Sequence, residues 1–260
     1  MEIKDIKILT IGNSFGVDTS EYVADIATAL GAERVKIGVL YIGGCSINRH
    51  YVNAMNDLPV YKYYVNNGDG WSATEGKRIS EAIKENEWDY ISIQHGTGDG
   101  SRYTLPESYV NLEPLIEYVR DIAPESAKIA FNMAWVMEPY SAHPEICSYG
   151  GDQRLMYERL AELTGTVVRG ARGLDIVSPA GTAIQNARGT ELDGRLSRDG
   201  FHLSLEHGRY IAGLTFLKAL TGASIDDLKW TPSGVTEGER DIAVRCAKMA
   251  VISPFKVSEI

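Results

Sequence analysis

The sequence predicts an α/β fold in which helices cover both faces of a central parallel sheet. Strand-like apolar segments alternate with segments of helical spacing along the whole chain, the rhythm of parallel strands joined by crossover helices. The first of them, Ile6 to Ile11, reads as a buried strand. The 260 residues are 44% hydrophobic and 23% charged, enough to fill one α/β core and too apolar for a disordered chain. A single domain over 1–260 is expected, with no internal repeat, low-complexity tract or Pro/Ser-rich linker.

Five strands are expected. After Ile6 to Ile11 comes a helix over Ser20 to Leu30, with Val23, Ile26, Ala27 and Leu30 on one face and Gly31 ending it. Arg34 to Ile42 is the second strand and stops at Gly43-Gly44. The third, Asp89 to Gln94, follows a helix predicted over Glu75 to Asn86; the fourth, Ala127 to Met133, follows one over Pro106 to Ala123. Leu174 to Val177 gives a weaker fifth, after a helix over Gln153 to Leu163, and Leu205 to Leu220 and Thr236 to Ala250 read as closing helices. Ile47 to Trp71 breaks the rhythm. It carries Tyr51, Tyr61, Tyr63, Tyr64 and Trp71 and is too long for a simple connection, so it reads as a lid or hairpin over the site, or as a loop packed onto the body by its aromatics.

A net charge of −9 argues against nucleic-acid or anionic-membrane partners, which favour a basic face, and leaves a neutral polymer such as a polysaccharide open. Cys45, Cys147 and Cys246 are widely spaced and odd in number, so neither a disulfide framework nor structural zinc is expected. No apolar run reaches membrane-spanning length, and the chain opens straight into its first strand, so the cytoplasm is the default location. No His/Asp/Glu cluster has metal-ligand spacing, and Gly96-Thr97-Gly98 is too short for a phosphate loop, so neither metal nor cofactor is expected.

Two short stretches carry the chemistry. Ile11-Gly12-Asn13-Ser14-Phe15 puts a serine just past the carboxyl end of the first strand, where open parallel sheets bind ligands. Asp199-Gly200-Phe201-His202 puts a carboxylate three residues before an imidazole, across a turn, just ahead of a closing helix. A serine hydroxyl is a weak nucleophile until an imidazole takes its proton and a carboxylate fixes that imidazole's tautomer. Taken singly each is bland: Asn13 or Ser14 as a helix cap, Asp199 as a turn residue, His202 as a half-buried histidine. Asp193 and Glu206 are the other carboxylates near His202.

Together these stretches resemble the SGNH or GDSL hydrolases, a superfamily of esterases. The resemblance implies a flavodoxin-like three-layer α/β/α sandwich around a parallel five-stranded sheet. The usual Gly-Asp-Ser is similar to Gly12-Asn13-Ser14-Phe15, and the oxyanion glycine of the second block falls on Gly44 in Gly43-Gly44-Cys45-Ser46. The last block, Asp-x-x-His, matches Asp199 to His202. The third block departs. Where the family has Gly-x-Asn-Asp, this chain reads Gln94-His95-Gly96-Thr97-Gly98-Asp99, and Gly98 has no side chain to donate to an oxyanion. Loss of such a donor costs about 10²–10³ in turnover. Gln94 is the expected substitute, with His95 and Thr97 as alternatives.

The resemblance thus implies Ser14, Asp199, His202, Gly44 and Gln94 as catalytic residues, with an acetylated carbohydrate or other small ester as substrate. Trp135 is a candidate sugar-stacking wall or, equally, an indole packed at the rim, and His95 is a candidate substrate contact; His50 and His143 are expected in loops lining the cleft, and His207 in a structural role. The rivals are a short-chain lipase or thioesterase and a non-catalytic carbohydrate-binding relative with a decayed oxyanion hole. A flavodoxin-like nucleotide binder is disfavoured by the lack of a phosphate loop. The oligomeric state is left open.

Overall fold

A computed structural model describes residues 4–98 and 100–260. The chain begins with β1 (Asp5–Gly12), α1 (Ser14–Ser20), α2 (Val23–Ala29), β2 (Arg34–Tyr41) and α3 (Ile47–Met55). The hairpin β3 (Tyr61–Asn66) and β4 (Trp71–Lys77) follows, then α4 (Ile79–Lys84), β5 (Tyr90–Ile93), a 3₁₀ turn at Pro106–Tyr109, α5 (Leu112–Ile122) and β6 (Lys128–Asn132). The rest of the chain holds α6 (Pro144–Cys147), α7 (Gln153–Leu163) running into a π-helical turn at Thr164–Val168, β7 (Ile176–Ser178), α8 (Ala180–Ala187), α9 (His207–Thr221) and α10 (Glu237–Ile252).

One sheet runs β4-β3-β2-β1-β5-β6-β7. Its five parallel members, β2-β1-β5-β6-β7, are the expected strands in flavodoxin-like order, with the switch of direction at β1. β1 is apolar without alternation because both its faces are covered. Ile6 and Ile8 enter the core shared with α2, α8, α9 and α10, while Leu9 and Ile11 enter the core under α3, α4 and α5. Buried along nearly its whole length, α9 carries apolar residues all round rather than on one stripe.

The sheet has seven strands rather than five because the aromatic segment ends in a hairpin that pairs antiparallel to β2. Of the two forms expected for it, a hairpin is present, but at the sheet edge. Tyr61 and Tyr63 are buried in the core with α3 and α4, and Tyr63 donates to Glu85 at 2.7 Å. Mostly exposed and polar, β4 makes a blunt edge strand. The helix predicted from Glu75 begins only at Ile79, because Glu75 to Lys77 belong to β4 and Gly76 sits at φ +74. The helix predicted over Ser20 to Leu30 forms over Val23–Ala29, and Ser20 instead closes the separate helix α1. The break falls at Glu21 and Tyr22, where Tyr22 leaves helical geometry (φ −103, ψ 7) and Glu21 pairs with Arg209 on α9 at 2.9 Å.

A capping box opens α10: Thr236 Oγ1 accepts from the Glu239 amide, and Glu239 Oε2 accepts from the Thr236 amide at 2.8 Å. The Thr236 amide, with Arg195 and His207 beside it, holds the Glu239 carboxyl at about 2, against an ordinary 4.5. In the unfolded chain it protonates near 4.5, so the stability it contributes is complete above that pH and is lost as pH falls toward 2. Thermal melts between pH 5 and 2 should therefore show a steeper loss for the wild type than for Glu239→Gln. Parallel curves would remove Glu239 from the acid transition.

Candidate active site

The site lies at the carboxyl ends of β1, β2 and β5. Ser14 is the first residue of α1, and Asn13 caps that helix by accepting from the Phe15 amide at 2.9 Å. The other end of the Asn13 amide donates to the Cys45 carbonyl at 3.2 Å, tying the Ser14 turn to the loop after β2. An aspartate at position 13 has no proton to give that carbonyl.

The Asp199–His202 turn is closed by the bridge between Ser197 and Leu203 and by Ser197 Oγ, which accepts from the Gly200 amide at 2.8 Å and donates to the His202 carbonyl at 3.0 Å. Asp199 Oδ1 accepts from the Phe201 and His202 amides at 3.1 and 2.8 Å, and Asp199 Oδ2 lies 2.6 Å from His202 Nδ1. His202 Nε2 lies 2.8 Å from Ser14 Oγ. With the Asp199 carboxylate at Nδ1, that nitrogen carries the ring proton and Nε2 accepts from Ser14. Burial opposes ionisation of Asp199, but the His202 ring and the two amides outweigh it and hold the carboxyl below the usual range. Asp193 instead accepts from the Gly194 amide at 3.0 Å, and Glu206 stands at the N-cap position of α9 with no capping bond from its side chain.

The turn is anchored to α1, the helix that begins at Ser14, by a buried charge cluster. Asp18 on α1 accepts from Arg198 at 3.0 and 3.1 Å, from Arg209 at 2.8 Å and from the Leu203 amide at 3.0 Å.

Gly44 stands at φ +61 beside the loop that carries the third block. A β-carbon on Gly98 would lie 2.5 Å from the Gly44 carbonyl oxygen, and one on Gly96 would lie 2.5 Å from that of Cys45. The Gly98 amide donates to the Gly44 carbonyl at 2.6 Å. The asparagine slot therefore holds glycine because the backbone of the Gly44 loop fills the space of a side chain. Asp99, the last residue of that block, lies outside the described residues.

Three expected site residues are elsewhere. Trp135 is only 2% exposed, packed 4.8 Å from Phe15 and donating to the Phe201 carbonyl at 2.7 Å, so it props up the His202 turn and has no free face for a sugar. His95 is 1% exposed and held by the Gly96 and Ser108 carbonyls, out of reach of substrate. Gln94 is fully buried, its amide turned under α1 against Gly16, where no substrate oxygen reaches it. His50 is fully buried on α3 with Nδ1 2.8 Å from the Tyr61 hydroxyl, so it does not line the cleft. His207 opens α9 and faces Glu239 at 3.3 Å, a contact between helices.

His143 does reach the site: it caps α6, packs 5.5 Å from Phe201 and lies 3.2 Å from Thr97 Oγ1. Tyr140, which the sequence did not single out, is 75% exposed beside Gly200 of the Asp199–His202 turn. Among the described residues no group of three or more His, Cys, Asp or Glu is placed to hold a metal, and no helix is long and apolar enough to cross a membrane.

This architecture is shared with the acetylxylan esterase Axe2 from Geobacillus stearothermophilus, at 15% identity and a TM-score of 0.53, over 90% of this chain and all of that one. It is also shared with a Parabacteroides merdae protein assigned as a GDSL-like lipase, at 16% identity and a TM-score of 0.52, over 85% of this chain and 98% of that one. The fold is thus of the SGNH type. The chain belongs to the DUF4886 family, whose model, described as a domain of unknown function, matches residues 7–250. A DUF4886 family protein from Bacteroides uniformis is 31% identical, with a TM-score of 0.92 over 99% of this chain and 98% of its own. No curated protein matches the chain in sequence.

Proposed function

We propose that the protein is a serine esterase, an O-acetylesterase acting on an acetylated carbohydrate. The observation that carries this is the unbroken line Ser14 Oγ–His202 Nε2–Asp199 at 2.8 and 2.6 Å, at the sheet edge where the strand order reverses. Ser14 Oγ bonds to the ester carbonyl carbon as its proton passes to His202 Nε2, and the carbonyl π electrons move onto oxygen. That oxyanion faces the Ser14 and Gly44 amides. Collapse breaks the bond to the alcohol, which leaves with the proton from His202. Water, deprotonated by the same imidazole, then attacks the acyl-Ser14 carbonyl, and the carboxylic acid departs as Ser14 recovers its proton.

Two features support the substrate class. The protein of similar fold named for its substrate is an acetylxylan esterase. The exposed Tyr140 ring beside the catalytic turn offers a flat apolar surface with a polar edge, suited to a sugar ring. The buried hairpin aromatics lend no such support. Release of acetate from acetylated xylo-oligosaccharides, compared with p-nitrophenyl esters of increasing chain length, tests the assignment; a preference for long acyl chains would favour the lipase reading.

Asp199→Asn should lower kcat by about 10⁴-fold, because an amide in its place favours the wrong His202 tautomer. Asp193→Asn should leave kcat unchanged. The reverse ranking would move the third triad position to Asp193.

A further inference from the structure

The esterase reading leaves the oxyanion with two backbone donors, because the side chain that the resembled family places in the third block is missing and Gln94 is turned away. We propose that the Thr97 hydroxyl, oriented by His143, is the third oxyanion donor. This assignment rests on the esterase reading of Ser14.

The placement comes from the backbone. Gly96 and Gly98 both pack against the Gly44–Cys45 segment, so the backbone of Thr97 between them runs alongside Gly44. It is half-buried, where Gln94 and His95 are sealed in. On its other side Thr97 meets His143, whose ring packs on Phe201, and Phe201 in turn lies 4.0 Å from the His202 ring. The Thr97–His143 pair therefore spans the gap between the Gly44 loop and the His202 turn.

The direction of the hydroxyl follows from proton bookkeeping. The Glu145 amide donates to His143 Nδ1 at 3.1 Å, and an amide N–H only donates, so Nδ1 is unprotonated. A neutral His143 then carries its proton on Nε2 and gives it to Thr97 Oγ1 at 3.2 Å. A hydroxyl that accepts this bond keeps its own proton for another acceptor, and among the described residues it meets none. Burial, and secondly the proximity of His202, lower the proton affinity of His143, so it stays neutral as His202 takes the proton of Ser14. As the ester carbonyl becomes tetrahedral, its oxygen accepts the Thr97 proton in a hydrogen bond and returns to a carbonyl when the alcohol leaves. Thr97 is thus a catalytic residue and His143 a positioning residue.

The test is kcat and KM on p-nitrophenyl acetate for the wild type, Ser14→Ala, Thr97→Val, Thr97→Ser, His143→Leu and His143→Gln, with a melting temperature for each. Thr97→Val should lower kcat about 10²-fold with KM little changed, while Thr97→Ser keeps most of the rate. His143→Leu should lower kcat about tenfold, and His143→Gln, which retains a donor, should recover it. Because His143 acts through Thr97, adding His143→Leu to Thr97→Val should cost nothing further. If Thr97→Val does not fold, Thr97→Ala is judged by the same split. Thr97→Val at wild-type kcat beside an inactive Ser14→Ala overturns the Thr97 role and leaves the esterase standing. Ser14→Ala as active as the wild type, or a wild type that neither hydrolyses the ester nor takes up a fluorophosphonate at Ser14, overturns the esterase reading and this assignment with it.

Discussion

Ser14→Ala should abolish ester hydrolysis while leaving the fold intact. Removing the nucleophile of a Ser-His-Asp enzyme costs about six orders of magnitude in kcat, because imidazole and carboxylate have no other group to activate. The residual rate should not be zero, since backbone amides still polarise a bound carbonyl. The fold should tolerate the change because the cap of α1 is the Asn13 side chain, and Ser14 contributes a half-buried hydroxyl bonded to His202. Steady-state assays beside circular dichroism give both numbers. A Ser14→Ala chain that keeps more than about a hundredth of wild-type kcat, against the six-order loss expected of a lost nucleophile, would show that another group performs the chemistry.

The largest effect on stability should come from Asp18→Asn. Asp18 is fully buried and is the shared acceptor for Arg198, Arg209 and the Leu203 amide. The amide keeps the volume but removes the negative charge and sets an N–H group against two guanidinium groups. Breaking a buried charge cluster in this way costs about 3–5 kcal/mol, much of it from Arg198 left without a carboxylate, whereas Arg209 keeps its pair with Glu21. Arg198 is about one-third exposed and Arg209 less so, which puts the expected loss at the lower end of that range. The Leu203 amide and Arg198 lie on the turn that carries His202, so kcat should fall even under conditions where Asp18→Asn is folded. A shift in urea midpoint worth under about 1 kcal/mol, a typical surface-pair value, would assign the cluster no structural weight.

Much of this was legible in the sequence, for local reasons. Ile6 to Ile11 had to be buried on both faces, and a Gly-Asn-Ser directly after such a strand had to emerge at the binding edge. The three-residue spacing of Asp199 and His202 is enough for one carboxylate to hold both the amide and the ring of the same histidine. What was not legible depends on what lands on what. Trp135, His95 and Gln94 follow strand ends, as Ser14 does, and whether such a side chain faces the cleft or is covered is decided by Phe15, Tyr109 and α1. The apolar spacing of Glu75 to Asn86 suits a helix, yet its first three residues had a strand partner waiting in β3. Asp18 stands 180 and 191 positions from its arginines, beyond any local pattern.

The most direct test of the central claim is to mix the protein with p-nitrophenyl acetate, quench within the first turnover and map the acyl group by peptide mass. Ser14 as nucleophile predicts a burst of about one p-nitrophenol per active site and one acetyl group on the peptide containing Ser14. Full turnover with Ser14 unmodified, or an acetyl group on Cys45 or Cys147 that is released at the turnover rate, would contradict it.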